Sequence, residues 1–119
     1  MKFKNRIIGN RGENVAKKYL LNQGYNILDK NYTCNIGEID IIAEKEGLIV
    51  FIEVKSRNSL NFGYPYEAVD RKKQIKLIKV AQNYINYKRI RNTQFRFDII
   101  EVYLKQSNRV NHIKDAFWA

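Results

Sequence analysis

The chain has few of the residues that crosslink small proteins or bind zinc. Its 119 residues include one cysteine (Cys34), one histidine (His112), one proline and one tryptophan. A lone cysteine excludes an internal disulfide, and a lone histidine with no partner at ligand spacing argues against a zinc site. The longest apolar run, residues 48–52, is far too short to cross a bilayer or form a signal-peptide core. We therefore expect a cytoplasmic protein.

Acidic residues are also scarce, because 12 Asp and Glu stand against 22 Lys and Arg, for a net charge of +10. Residues 71–96 contain nine basic residues and no acidic one. Such an excess favours a polyanionic partner. This stretch lacks the broad Trp, Phe and Leu face of a membrane-surface helix, so nucleic acid is the expected partner and a membrane is not. The simpler alternative is a solvated basic helix face.

Hydrophobic periodicity predicts an α/β protein with a mixed sheet, forming one domain over residues 1–119. Glu46-Gly47 is typical of a tight hairpin turn, and Asp70 is the predicted N-cap of the second helix. The predicted elements are a helix over 11–23, strands over 26–33, 37–43 and 48–55, a helix over 70–88, a strand over 95–104, and a short edge near 112–117. The second helix is expected to bury Ile75, Ile78, Ala81 and Ile85.

Two parts of the chain lie outside the predicted helices and main strands, namely residues 56–68 and the C-terminal Trp118. Residues 56–68 are rich in Asn, Ser, Gly and aromatic residues, which predicts a long loop. Loops of this kind often select substrates, so this loop is the candidate for that role. Trp118 is expected to be a packing anchor.

The hairpin turn predicts which residues face each other. With Glu46 and Gly47 as the turn residues, Asp40 faces Glu53 and Glu38 faces Lys55. Because side chains alternate along a strand, Glu38, Asp40, Glu53 and Lys55 should project from one face. The opposite face would then be entirely apolar, which supports the register. That face comprises Ile39, Ile41, Ala43, Val50, Ile52 and Val54.

Two carboxylates across a ladder, about 5 Å apart, repel by roughly 3 kcal/mol at an effective dielectric near 20. Such a pair calls for a compensating cation or a proton, and oxygen ligands on rigid strands suit Mg²⁺ or Mn²⁺. Lys55 on the same face could hold a water nucleophile or stabilise charge on a phosphoryl oxygen. The alternative is that Glu38 and Lys55 form an ordinary ion pair, while Asp40 and Glu53 lie at a wet edge.

These residues also resemble a known nuclease signature. Residues 37–43 (Gly-Glu-Ile-Asp-Ile-Ile-Ala), followed by Glu53-Val54-Lys55, resemble the metal-dependent PD-(D/E)xK motif, with Ile39 where the motif's name has proline. With residues 11–13 (Arg-Gly-Glu), the sequence is similar to the YraN family of bacterial endonuclease-like proteins, whose core resembles archaeal Holliday-junction resolvases. The resemblance continues through residues 62–63, 67–69 and 96–98.

The resemblance implies a restriction-endonuclease-like fold, with an α-β-β-β-α-β core and a central mixed sheet flanked by helices. It implies a metal-dependent endonuclease that hydrolyses phosphodiester bonds in structured or branched DNA, with Mg²⁺ or Mn²⁺ as cofactor. Asp40, Glu53 and the backbone carbonyl of Val54 would ligate the metal. Lys55 would position the attacking water, and Glu13 would add a further carboxylate.

Four basic residues and Glu38 complete the predicted site. Arg57, Arg71, Lys72 and Lys73 are expected to contact nucleic acid. The last three occupy the first turn of a helix, where the helix dipole disfavours cations and a bound phosphate would relieve that cost. Glu38 is expected either to hold Lys55, which the predicted pairing favours, or to act as an extra metal ligand.

Other functions stay open at this stage. A non-catalytic nucleic-acid-binding module could keep the same fold, and a basic protein of this kind could instead bind another protein. A symmetric homodimer is expected, because cutting two strands with so small a domain normally requires two sites.

Overall fold

The computed structural model describes residues 2–57, 69–105 and 107–119, with side chains described from residue 11 onward. Within these ranges two helices and five strands follow in the order α1 (Lys2–Asn22), β1 (Asn26–Thr33), β2 (Glu38–Lys45), β3 (Leu48–Arg57), α2 (Arg71–Lys88), β4 (Gln94–Tyr103) and β5 (Arg109–Phe117). No helix of the described part is long and apolar enough to cross a membrane.

The strands form one mixed sheet in chain order, β1-β2-β3-β4-β5. Strands β3 and β4 are parallel and the other neighbouring pairs are antiparallel. The crossover from β3 to the parallel β4 includes α2, as parallel strands require. This confirms the predicted mixed α/β architecture.

Most predicted boundaries agree with the structure to within two residues. The hairpin turn is confirmed, since Glu46 and Gly47 have φ angles of 52° and 82°, the left-handed pair typical of a type I′ turn. Two elements are longer than predicted: α1 begins at Lys2, and β5 is a nine-residue strand. Residues 56 and 57 belong to β3, and the rest of the predicted loop, 58–68, lies outside the described residues.

Helix α2 begins at its predicted cap, since the Asp70 side chain accepts a hydrogen bond from the backbone N–H of Lys73 at 2.9 Å. Its buried residues are Leu77, Ile78, Val80, Ala81 and Tyr84. The prediction that Ile75 is buried was wrong, because this side chain is 43% exposed. At 100° per residue it lies roughly 160° around the helix from Leu77, outside the buried stripe.

Each face of the sheet carries its own core. One contains α1 residues such as Leu20 together with Val50, Ile52 and Ile100. The other contains the buried side of α2, with Phe51, Phe97 and Phe117 stacked on one another. A sheet covered on both faces explains why β3 is a nearly continuous apolar run.

Strand β2 changes face at Asp40. Ile39 packs in the α2-side core, whereas Ile41 and Ala43 pack in the α1-side core. The prediction that these three share one face was therefore wrong. Regular β2–β3 pairing ends at the Ile41–Ile52 pair. The strict alternation of side chains between the two faces of the sheet therefore does not extend to the residues before Ile41.

Candidate carboxylate site where the β2–β3 ladder ends

Asp40 lies at the point where β2 and β3 stop pairing. The paired residues run from Lys45 with Leu48 to Ile41 with Ile52, which is the predicted register. Beyond the Ile41–Ile52 pair, the N–H of Val54 donates a hydrogen bond to Asp40 Oδ2 at 2.8 Å. A side-chain oxygen thus takes the place of the backbone carbonyl that regular strand pairing would supply. The turn therefore brings Asp40 to β3, as predicted, through its side chain and not through a regular backbone pair.

The Glu53 carboxyl group acts on the pKa of Asp40 through its charge and through a hydrogen bond. Glu53 is only 8% exposed and lies at the edge of the α2-side core. Burial, the Glu53 charge and this hydrogen bond raise the pKa of Asp40 to about 9, against a smaller opposing effect of the Val54 N–H. The raised pKa favours a proton on this pair, which lessens the repulsion between the two carboxyl groups.

Two lysines approach Glu53. The Nζ atoms of Lys55 and Lys73 lie 3.6 Å and 3.7 Å from its Oε2. Lys55 comes from the same strand, as predicted, whereas Lys73 comes from the first turn of α2. Sequence reasoning assigned Lys73 to nucleic acid and missed this contact. A contact between α2 and β3 depends on tertiary packing, so the sequence offered only one sign of it, namely the position of Lys73 in the first turn of α2.

Glu13 reaches the same region from α1. Its Oε1 is buried and has no hydrogen-bond partner among the described residues. Burial raises the pKa of Glu13; Lys30 and a hydrogen bond with Asn31 oppose this rise, and the charges of Glu38 and Glu53 add to it. An unpartnered buried carboxylate oxygen is costly, which is consistent with a site for a cation or proton.

Glu38 does not make the predicted contact with Lys55. Its partner across the ladder is Thr33 of β1, whose Oγ1 donates to Glu38 Oε2 at 3.0 Å. Lys55 instead forms its ion pair with Glu53. The prediction extended the β2–β3 ladder past Ile41, where the strands no longer pair.

The other predicted basic residues have different environments. Arg57 forms an ion pair at 3.1 Å with Glu101, a carboxylate that is 1% exposed. Arg71 and Lys72 are exposed at the start of α2. The structure therefore places Lys73, but not Arg57, against the carboxylate pair, and the nucleic-acid contacts of all four stay predictions.

A second buried carboxylate, Asp98, was not predicted as part of a network. It is 0% exposed and accepts two hydrogen bonds from Arg96, both at 2.8 Å, and one from the Asp115 N–H at 3.0 Å. His112 Nε2 lies 2.7 Å from Asp98, and His112 Nδ1 lies 3.0 Å from the Tyr19 hydroxyl. Burial alone would raise the pKa of Asp98, but these hydrogen bonds lower it overall.

The donor set at the Asp40–Glu53 pair suits a hard cation. Within the described part of the chain, no three His, Cys, Asp or Glu side chains are grouped closely enough to hold a metal ion. Two carboxylates in contact nevertheless supply the oxygen ligands that Mg²⁺ and Mn²⁺ prefer, commonly completed by water or substrate.

The described residues form a mixed α/β protein in which a lysine-flanked carboxylate pair, with Glu53 buried and Asp40 half-buried, lies where the central hairpin opens. The chain belongs to the Uncharacterised protein family UPF0102, whose family model matches residues 12–102. This agrees with the YraN-like resemblance of the sequence.

Relatives of this family match the chain over almost its whole length. A UPF0102 protein of Clostridium beijerinckii is 52% identical, and one of Caldanaerobacter subterraneus subsp. tengcongensis is 51% identical, each over 98% of both chains. Among solved structures, Pyrococcus furiosus SfsA in complex with Ca²⁺ gives a TM-score of 0.35 at 14% identity, covering 92% of this chain and 63% of that one. This likeness is too weak to support a conclusion on fold or function.

Proposed function

We propose that the protein is a metal-dependent endonuclease that hydrolyses phosphodiester bonds in structured or branched DNA. The observation that carries the proposal is the Asp40–Glu53 pair where the hairpin opens, with Glu53 buried and the ammonium groups of Lys55 and Lys73 at 3.6 Å and 3.7 Å from its Oε2. A mixed sheet between two helices, with the pair at the end of its central hairpin, supports a restriction-endonuclease-like core.

The residues of the pair fit a divalent cation. Asp40, Glu53 and the carbonyl of Val54 would hold Mg²⁺ or Mn²⁺, with Glu13 as a further carboxylate. A bound ion supplies Lewis acidity and lowers the pKa of a water molecule. Because a ligating carboxylate must be deprotonated, Asp40 would give up the proton that it shares with Glu53.

The two lysines have a role in the same reaction. Phosphodiester hydrolysis builds negative charge on the nonbridging and leaving oxygens. Lys55 would position the attacking water, and its ammonium, together with that of Lys73, would stabilise the developing charge. Both ammonium groups lie within 4 Å of Glu53, which places them beside the proposed metal ligands.

Cleavage of junction, flap and single-stranded DNA with Mn²⁺ tests the proposal. We expect wild type to cleave at least one substrate, and Asp40→Asn and Glu53→Gln to lose at least roughly a hundredfold in rate, the scale seen when key electrostatic groups are removed. The matched control is Glu44→Gln, a carboxylate on the same strand within the regular ladder, which should keep wild-type activity. Equal cleavage by all four proteins would reject the proposal.

A non-catalytic nucleic-acid-binding module is the second candidate, and one observation favours it. Glu53 already has two ammonium groups nearby, so its charge is balanced without a metal. Calorimetric titration of Mn²⁺ separates the candidates. Binding that is lost in Asp40→Asn supports the nuclease, whereas no heat at millimolar Mn²⁺, together with DNA binding that weakens steeply with salt, supports the module.

A further inference from the structure

A groove opens at the start of α2, away from the residues assigned above to metal binding. It has a volume of about 380 Å³ and is lined by Arg71, Gln74 and residues 115–119. This volume lies within the range of small-ligand sites. The groove combines a cation with an exposed aromatic ring, whereas most large apolar side chains of this protein are buried.

Trp118 provides the ring. Its side chain is 71% exposed, so the prediction of a packing anchor was wrong. The indole is nevertheless held in position, since its Nε1 donates a hydrogen bond to Asp115 Oδ1 at 3.0 Å. An oriented indole with an open face is suited to stacking against another flat group.

Arg71 is held beside the indole. Its Nη1 donates to the backbone carbonyl of Trp118 at 3.1 Å and to Gln74 Oε1 at 3.2 Å. Gln74 is fixed in turn, because its Nε2 donates to the carbonyl of Val69 at 3.0 Å. The guanidinium is therefore positioned at the groove, where it could pair with a phosphate.

The groove lies next to the carboxylate pair. Phe117 lines this groove and also the apolar space that Glu53 borders. Arg71 and Lys73, which contacts Glu53, both belong to the first turn of α2, so the groove and the carboxylate pair lie at the same end of this helix. A strand bound at the carboxylates could therefore continue into the groove.

We infer that the groove binds an unpaired nucleotide of a DNA strand, with its base stacked on Trp118 and its phosphate paired with Arg71. The occupant must be unpaired, because a base inside a duplex does not offer its face to a side chain. The net charge of +10 favours a polyanion over a neutral aromatic ligand. This inference rests on the proposed function and gives it a substrate class, namely DNA with a single-stranded segment beside the cleaved bond.

Trp118 is the only tryptophan of the chain, so its fluorescence reports on the groove directly. Single-stranded DNA and a duplex of equal length would be titrated into wild-type protein in EDTA, so that cleavage does not interfere. We expect the single strand to quench the tryptophan and the duplex to leave it unchanged. Unchanged fluorescence at saturating single strand, or equal quenching by the duplex, would overturn the inference.

Affinity for labelled single-stranded DNA provides a second readout. Trp118→Ala should weaken binding by roughly fivefold or more, the scale of one lost stacking contact, and Trp118→Phe should weaken it less. The matched control is Tyr87→Ala, because Tyr87 is 72% exposed near the other end of α2. Wild-type affinity of Trp118→Ala, or an equal loss in Tyr87→Ala, contradicts a specific stacking site.

The two proposals fail separately. Quenching and selective binding without Mn²⁺-dependent cleavage would support the nucleotide groove and reject the nuclease. Mn²⁺-dependent cleavage without any change in Trp118 fluorescence would support the nuclease and reject nucleotide binding in the groove.

Discussion

At the scale of single residues, Asp40 connects local structure with chemistry. One of its oxygens accepts the Val54 N–H and so holds the two diverging strands together. Burial and the neighbouring Glu53 carboxyl group also raise its pKa. The same residue is thus a structural link and the most perturbed acid of the candidate site, a combination often found at functional sites.

The raised pKa of Asp40 predicts how stability depends on pH in metal-free buffer. The pKa rises from an ordinary 3.8 to about 9 on folding, so between these values the folded state binds more protons than the unfolded state. The stabilisation from the shared proton is therefore present at low pH and is lost as the pH rises towards 9. Asp40→Asn cannot lose a proton and can still donate to Glu53, so its thermal midpoint should fall less over this interval.

Thermal unfolding followed by circular dichroism across this interval checks the prediction. Glu44→Gln serves as the control and should follow wild type. Parallel curves for wild type and Asp40→Asn would show that Asp40 ionises normally in the folded protein.

At the scale of elements, Gly12 brings α1 close to β3. A Cβ placed on Gly12 would lie 1.9 Å from Ser56 Oγ and 3.2 Å from Ser56 Cβ, so a larger residue requires the Ser56 side chain or the helix to shift. Burial raises the pKa of Glu13, the next residue, and the nearby charges of Glu38 and Glu53 add to this rise. The close packing at residue 12 is therefore next in the chain to a side chain of the candidate site.

Gly12→Ala is expected to destabilise the protein by about 1 kcal/mol, because overpacking of about 1–3 kcal/mol outweighs the gain of about 1 kcal/mol in helix propensity. Removing the clashing hydroxyl with Ser56→Ala should recover most of this loss. Denaturant unfolding of the two single variants and the double variant gives the coupling energy. Strictly additive effects would mean that the two residues do not clash.

Elements also determine which charged groups meet. Helix α2 contributes Lys73 to Glu53 and Arg71 to the Trp118 groove from a single turn that begins at the Asp70 cap. Strand β4 contributes Asp98 and Glu101, two buried carboxylates that are neutralised by Arg96 and Arg57. The acids of β4 thus have arginine side chains as partners, whereas in the β2–β3 pair Glu53 has the half-buried Lys55 and Lys73 beside it.

At the scale of the whole molecule, the high positive charge favours association with a polyanion, while each chain contributes the Asp40–Glu53 pair to one site. We predict that two chains assemble on branched DNA, because cleavage of two strands requires two such sites. Light scattering with and without a junction substrate should show a two-chain complex. A strict monomer under both conditions would contradict a symmetric dimer.

Much of the fold could be predicted from the sequence because its signals are local. The apolar runs and the Asp70 cap predicted the helices and strands, and the Glu46-Gly47 turn predicted the β2–β3 register. That register is also what predicted Asp40 and Glu53 to be neighbours. Ile75 and Glu38 were misplaced because regular periodicity was extended beyond the residues that obey it.

The order of elements and the proximity of two acids on one hairpin follow from the sequence alone, since a tight turn specifies the pairing of the residues beside it. Three further contacts depend on tertiary packing, namely Lys73 with Glu53, His112 with Asp98, and the exposed Trp118 with Arg71. Each of these contacts joins two different parts of the fold. Their geometry follows from how helices and strands pack together, which local propensity does not encode.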